Sequence, residues 1–297
     1  MARPDPRCQH CLDHHRLKAR IMNLNTITTV KRPANADEVG WWEAGDAWLA
    51  GGTYLFSEPQ LTTHTLIDIE QFGWPALQVT PNGLEIAATC RIMEIYRLES
   101  PAEWVAGPLL RECCDALLAS FKIWNAATVG GNICLSLPAG AMISLVTALE
   151  GTLTLWPRNG TARTVSALDF VTGNHQNILH AGELLRSIHL PATALARRYA
   201  LRRASLVKLG RSAALLIGTR GSDGDLLITI TASTPRPVQL AFADIPTPDE
   251  LRRAIASAIP DDDYFDDVNG LPEYRRHLTY YFAEQIRAEL AQSGGKA

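Results

Sequence analysis

Two diglycine segments lie roughly eighty residues apart, Leu49-Ala50-Gly51-Gly52-Thr53 and Ala127-Thr128-Val129-Gly130-Gly131-Asn132, each closing an apolar run. Without a Cβ, glycine reaches positive φ and lets the backbone approach another group closely, so paired glycines can point successive N–H groups into one concavity. Such a nest suits a phosphate or pyrophosphate, and Thr53, Thr128 and Asn132 add hydroxyl or amide donors beside it. The geometry required is convergence of both segments on one diphosphate. Diglycines are also ordinary hairpin turns, and spacing alone leaves both readings open.

Other chemistry-bearing groups are weaker. Cys8, Cys11, His14 and His15 could converge on zinc, but the surrounding stretch has almost no periodic hydrophobics to fold around an ion and reads as a solvated tail. Cys113, Cys114 and Cys134 lack the four-cysteine spacing of an iron–sulfur site and read as buried thiols. Asp261-Asp262-Asp263 and Asp266-Asp267 lack the alternating ligands and terminal glutamate of a calcium loop, and read as a solvated turn. Eight basic and no acidic side chains fall between Arg186 and Arg220. Without aromatic interleaving or a recognition motif, that run reads as phosphate and partner contacts, not as a nucleic-acid surface. The glycine, lysine, histidine and serine signatures of Rossmann, P-loop, zinc-protease and esterase sites are absent.

The elements that must position the diglycines alternate between strand and helix patterns. A short helical stretch from Ala36 leads to a strand at Trp48-Leu49-Ala50, and Thr65–Ile69 and Leu84–Ala88 read as further strands. Helical spacing predicts a helix over Pro108–Ser120 and a buried one over Ala141–Glu150. Residues 126–133 repeat the pattern of an apolar approach to a glycine turn. Strands follow at Thr152–Trp156 and Leu184–Leu190, then at Arg198–Val207 and Leu226–Ala232. The helices Asp249–Ala258 and Arg275–Ala291 complete a separate α+β unit. The expected division is a tail or extension over 1–21, ahead of Met22, then domains over 22–195 and 196–292, and a short tail over 293–297.

Composition agrees with a soluble chain of two domains: 297 residues, 46% hydrophobic, 28 Lys and Arg against 31 Asp and Glu, net charge -3. Neutrality offers no whole-molecule attraction for nucleic acid or anionic lipid. Six cysteines are too few for a disulfide scaffold, and with no apolar signal segment they imply reduced thiols and a cytoplasmic location. The longest apolar stretches, 139–149 and 213–218, fall short of the ~18 residues a membrane span needs.

The ordered set of motifs resembles the FAD-binding subunit of the molybdenum hydroxylases, the family of xanthine dehydrogenase, carbon monoxide dehydrogenase and nicotinate-type enzymes. It comprises the two diglycine segments, the second continuing through Ile133, Cys134, Ser136, Pro138, Ala139 and Gly140, then Gly182-Glu183-Leu184-Leu185 and Lys208-Leu209-Gly210-Arg211. Thr234-Pro235-Arg236-Pro237, Asp266–Gly270 and Glu273–Arg276 complete it, so the likeness runs over about residues 22–290 in family order. The resemblance implies an α+β chain: a two-subdomain FAD-binding fold of the vanillyl-alcohol oxidase type, with a smaller carboxyl-terminal α+β domain closing over the flavin.

By the same resemblance FAD would be held by Leu49, Ala50, Gly51, Gly52, Thr53, Tyr54 and Leu55, and by Thr128, Gly130, Gly131, Asn132, Cys134 and Gly140. Ile123 and Ala127 would line the adenosine or flavin pocket, Leu185 would pack on the ring system, and Lys208 would approach the isoalloxazine. No catalytic residue or metal ligand is expected in the chain itself. Tyr54, Trp124 and Ala141 stand where the family often has an acidic residue, an Arg and an Asp, and Leu215 where a carboxylate is common.

The implied role is electron transfer. A partner's [2Fe-2S] clusters, draining a molybdopterin cofactor in a large subunit, would reduce FAD, and an acceptor such as NAD, oxygen, a quinone or a cytochrome would reoxidise it. A scaffold subunit that has lost FAD and a self-contained flavin oxidase are the alternatives.

Overall fold

The computed structural model describes residues 26–157 and 160–292. The zinc reading at Cys8, Cys11, His14 and His15 and the two expected tails lie outside the described residues. The chain divides after Gly73 into two units.

In the first unit, β1 (Thr29–Lys31), β2 (Asp46–Leu49) and β3 (Thr65–Asp68) form a parallel sheet in the order β1-β3-β2. The central strand is the buried one, with Leu66 and Ile67 in its core. The helical stretch at Ala36 is a single 3-10 turn, Ala36–Val39, capped by the Asn35 side chain, which accepts from the N–H groups of Asp37 and Glu38.

The second unit opens with a hairpin, β4 (Leu77–Thr80) and β5 (Gly83–Ala87), where period-two alternation buries Leu84 and Ile86. Then come α1 (Ile92–Tyr96), α2 (Gly107–Ala116), α3 (Phe121–Trp124), α4 (Val129–Leu135) and α5 (Ala141–Ala148). Pro108 sits in the first turn of α2, where its missing N–H costs nothing. The helix stops at Ala116, not Ser120, because Leu117 turns extended (φ -75°, ψ 97°). Next follow β6 (Thr152–Trp156), β7 (Arg163–Ser166), α6 (Ala167–Phe170), β8 (Val171–Gly173), β9 (Gln176–Asn177), β10 (Leu184–Pro191) and α7 (Ala192–Leu195). Five strands form an antiparallel sheet in the order β4-β5-β10-β6-β7, and β8 and β9 form a small hairpin.

The remaining strands, β11 (Arg198–Ala204), β12 (Ala214–Arg220), β13 (Leu226–Thr231) and β14 (Val238–Phe242), form an antiparallel meander. The apolar run near residue 213 becomes β12, buried along nearly its whole length. Two amphipathic helices follow, α8 (Pro248–Ala258), with a Thr247/Glu250 capping box, and α9 (Pro272–Ala291), which packs on β11 and β12. Every residue of α5 is buried, because α2 lies against it on one side and β12 and β13 on the other. A helix apolar all round is the form such a position requires. Ser144 and Thr231 satisfy each other there at 2.6 Å. Among the described residues no helix is long and apolar enough to cross a membrane.

Candidate functional site

The first glycine segment is a turn of the expected kind. Pairing with β3 ends at Leu49, whose carbonyl accepts from Ile69 N–H (3.0 Å), and the chain reverses through Gly52 at φ +67°. Phe56 N–H closes the turn on Gly52 O at 2.9 Å. A Cβ at Gly52 would lie 2.6 Å from the Phe56 ring, so both conformation and space demand glycine. Leu49, Ala50, Gly51, Gly52, Thr53 and Leu55 are half-buried, and Tyr54 is exposed. The N–H groups of Gly51, Gly52 and Thr53 have no hydrogen-bond partner among the described residues. Three consecutive donors without a protein partner, beside a threonine hydroxyl, are a donor set of the kind that suits a pyrophosphate.

The second segment differs from the expected strand and glycine turn: Gly130 and Gly131 lie inside α4. The N–H of Val129 goes to Cys90 O (2.9 Å) and that of Gly130 to Ala88 O (3.0 Å). Gly131 N–H goes to the capping Thr128 Oγ1 (3.0 Å) and Asn132 N–H to Thr128 O (3.0 Å). These four donors are spent, so this segment is not a nest. Gly130 is buried, and an added Cβ would fall 2.5 Å from Ala88 Cβ and 2.7 Å from its backbone, which gives this glycine a packing duty. Gly131 is exposed, and a Cβ there would meet only Thr128 Oγ1, at 2.8 Å. Asn132 Oδ1 accepts from Met142 N–H (3.1 Å) at the start of α5, where the cap, Gly140, has no side chain to do so. What the segment offers a ligand is therefore the open face of Gly131 and the Asn132 amide N–H groups.

Around α4 the structure gathers Ile123 (39% exposed), half-buried Ala127 and Cys134, and buried Thr128, with Gly140 at the adjoining end of α5. Leu185, on the β10 strand that α4 packs against, is 1% exposed and belongs to the core, so its side chain has no face open to a ring. Lys208 is exposed in the β11–β12 loop and forms no ion pair among the described residues.

Six of the eight cations in the basic run are used internally. Arg186 lies over the rings of Trp74 (4.0 Å) and Trp156 (5.4 Å) beside the bulge between Leu185 and Ser187. Arg197 pairs with Asp225, Arg202 with Glu289, and Arg203 donates to Ser212 Oγ and Gly210 O. Arg198 and Arg220 donate to the carbonyls of Gln292 and Leu290. Among the described residues, Lys208 and Arg211 alone in the run lack such a use and remain for the phosphate or partner contacts expected of the whole run.

Glu183, Asp267 and Arg275 have roles that their sequence motifs do not state. Buried Glu183 takes a two-pronged bond from Arg163 (2.8 and 2.7 Å), and that guanidinium holds its carboxyl below the usual glutamate range against the opposing effect of burial. The Arg275 guanidinium is buried, donating to the carbonyls of Gly270, Ala213 and Ala232 and to the Asp267 carboxylate. Asp267 is thus no solvated turn residue. Cys90, Cys113 and Cys114 are buried free thiols, as is Cys134 in part, and desolvation raises all four, Cys134 to about 12. Among the described residues no group of histidine, cysteine or carboxylate side chains could hold a metal.

Comparison with known proteins bears on the same segments. Residues 30–193 match the family described as the FAD binding domain in molybdopterin dehydrogenase. Xanthine dehydrogenase 1 of Arabidopsis thaliana is 31% identical over 130 residues, 40% of this chain and 9% of that protein. The carbon monoxide dehydrogenase medium chain of Hydrogenophaga pseudoflava is 30% identical over 154 residues, 49% of this chain and 51% of that one. The chain therefore matches about half the length of that medium chain and a small part of the plant enzyme. In fold, a chain of the reconstituted CO dehydrogenase from Oligotropha carboxidovorans superposes with a TM-score of 0.73 at 22% identity, covering 89% of this chain and 96% of that one. A chain of quinoline 2-oxidoreductase from Pseudomonas putida 86 gives 0.70 at 18%, with coverages of 89% and 96%. With more than half of its length matched, and with the expected α+β architecture, the chain belongs to the family of FAD-binding domains of molybdopterin dehydrogenases.

Proposed function

We propose that the chain is the FAD-carrying electron-transfer subunit of a molybdenum-containing hydroxylase or dehydrogenase. Its partners in this reading are a molybdopterin-binding large subunit and a small [2Fe-2S] subunit. The observation that carries it is the run of free N–H groups at Gly51, Gly52 and Thr53, in a chain whose residues 30–193 match an FAD-binding family. Bound FAD would supply the exchange of electrons between the partner's clusters and an external acceptor such as NAD, oxygen, a quinone or a cytochrome.

The chain's own work is binding and orientation. The turn from Leu49 to Leu55 donates backbone N–H groups and the Thr53 hydroxyl to pyrophosphate oxygens. Gly131 admits the ligand to the backbone of α4, and Asn132 adds its amide. Ile123, Ala127 and Cys134 line the pocket, and Lys208 supplies a positive charge toward reduced flavin. Thr128, Gly130, Gly140 and Leu185 act from behind, fixing α4, α5 and β10. No group in the chain is required to take a proton from an organic substrate, consistent with a substrate pocket in another subunit. A cytoplasmic location goes with this reading, supported by the free thiols.

Purification of the full chain, addition of FAD and a visible spectrum test it. A yellow protein near one flavin per chain, with Gly131→Val folded but colourless, is the expected result. A wild-type chain that neither copurifies with FAD nor quenches its fluorescence would refute the reading.

A further inference from the structure

We infer that the second unit carries a further site, distinct from the glycine turns, for a small organic anion: a carboxylate or phosphate borne on a compact apolar body. A cleft of about 330 Å³ opens among the loop after α4, the β8–β9 turn, the loop before β12 and the turn ahead of α9. Ligand pockets begin near ~300 Å³, so its size suits one small molecule.

The backbone around it is strained. Four non-glycine residues among those described have positive φ; two of them line this cleft, His175 (56°) and Ala232 (65°), and a third, Ser136 (54°), is buried directly before the lining residue Leu137. Each such conformation costs about 1 kcal/mol or more and persists only where the surroundings impose it. Here His175 N–H donates to Ser136 O (2.9 Å) and Ala232 N–H to Pro138 O (2.8 Å), so the strained turns brace one another and the cleft is pre-formed.

Its electrostatics favour an anion. Arg275 and Asp267 both line it but neutralise each other, and the other Asp267 oxygen accepts from Asn269 Nδ2 (2.9 Å). The cation left over is Arg211, which has no ion-pair partner among the described residues and lies in the same loop as the other unused cation, Lys208. Asn174 adds an amide. Pro138, Phe265 and Val268 complete the lining with apolar surface for the body of the ligand, Val268 standing 94% exposed at the rim. A guanidinium beside an apolar wall recognises an oxyanion attached to a ring or short chain better than a bare ion.

Calorimetric titration of the full chain, with and without saturating FAD, tests this with three probes: phenyl phosphate, benzoate and inorganic phosphate. The expected result is binding of phenyl phosphate or benzoate, tighter than inorganic phosphate, unaffected by FAD and weakened tenfold or more in Arg211→Gln and in Asn174→Ala with Arg211→Gln. Which of the two organic probes binds identifies the oxyanion. The inference is overturned if neither organic probe binds, if Arg211→Gln leaves affinity unchanged, or if FAD displaces the probe, which would make the cleft part of the flavin site. A chain that binds phenyl phosphate but no FAD leaves this inference standing and removes only the flavin reading.

Discussion

At the scale of single residues, the buried charges are held by partners remote in sequence. The Glu183 side chain is 2% exposed and faces Arg163, itself 35% exposed. Breaking a fully buried pair costs ~3–5 kcal/mol, and partial exposure of the arginine lowers the expectation for Glu183→Gln to about 2 kcal/mol by urea denaturation near neutral pH. Because folding depresses this carboxyl's pKa, its contribution is complete above the unfolded glutamate value of ~4.3 and disappears as pH falls through the folded value. The wild type should therefore lose its advantage over Glu183→Gln on acidification below that value, and an advantage that persists in acid would exclude the ion pair as its source. The buried thiols give a second test at this scale. Desolvation raises Cys90, Cys113 and Cys114, so iodoacetamide should leave them unlabelled in the native chain and label them in urea. The burial of Cys113 and Cys114 was legible in the sequence, whereas the pairing of Glu183 was not. Glu183 and Arg275 stand in motifs that can be quoted, but nothing local states that their partners are Arg163, twenty residues upstream, or the carbonyls of Ala213 and Ala232.

Secondary-structure elements were legible where their periodicity is driven by one buried face. β5, β6 and β10 alternate because one side packs on the core, and α8 announces itself by a capping box. The second diglycine was not legible as a helix, since each glycine disfavours a helix by ~1 kcal/mol relative to alanine. Tertiary bonds override that preference: Thr128 caps α4, and Cys90 and Ala88 carbonyls take the N–H groups of Val129 and Gly130. The two glycines should therefore answer differently to substitution. Gly130→Ala drives a Cβ into Ala88, backbone included, and should cost about 3 kcal/mol, at the upper end of overpacking penalties. Gly131→Ala crowds only the Thr128 hydroxyl, and losing that cap (~1 kcal/mol) is offset by a similar gain in helix propensity, so stability should scarcely change. FAD affinity should fall in Gly131→Ala all the same. Equal destabilisation by both variants would mean that Gly131 is packed and not available to a ligand.

For the molecule as a whole, composition described a near-neutral chain but concealed where its charge goes, because the dense basic run is mostly spent holding the carboxyl-terminal meander to α9 and to itself. In the proposed reading, cofactor capture then rests on the N–H donors of the first glycine segment and the Asn132 amide, and not on electrostatic attraction at large. That has a thermodynamic signature. A ligand bound only by the folded chain stabilises it by RT ln(1 + [L]/Kd), about 2.7 kcal/mol at a hundredfold excess over Kd. In a chain of this size each kcal/mol raises Tm by roughly 2–4 °C, so saturating FAD should raise the melting temperature by several degrees. Ionic strength should alter that shift little, whereas Gly52→Val, which forces a branched side chain into positive φ and against Phe56, should reduce it even where the unliganded melting temperature is preserved. A shift that collapses in high salt and survives Gly52→Val would assign FAD capture to the surface cations Lys208 and Arg211, and the glycine turn after β2 would return to being a turn.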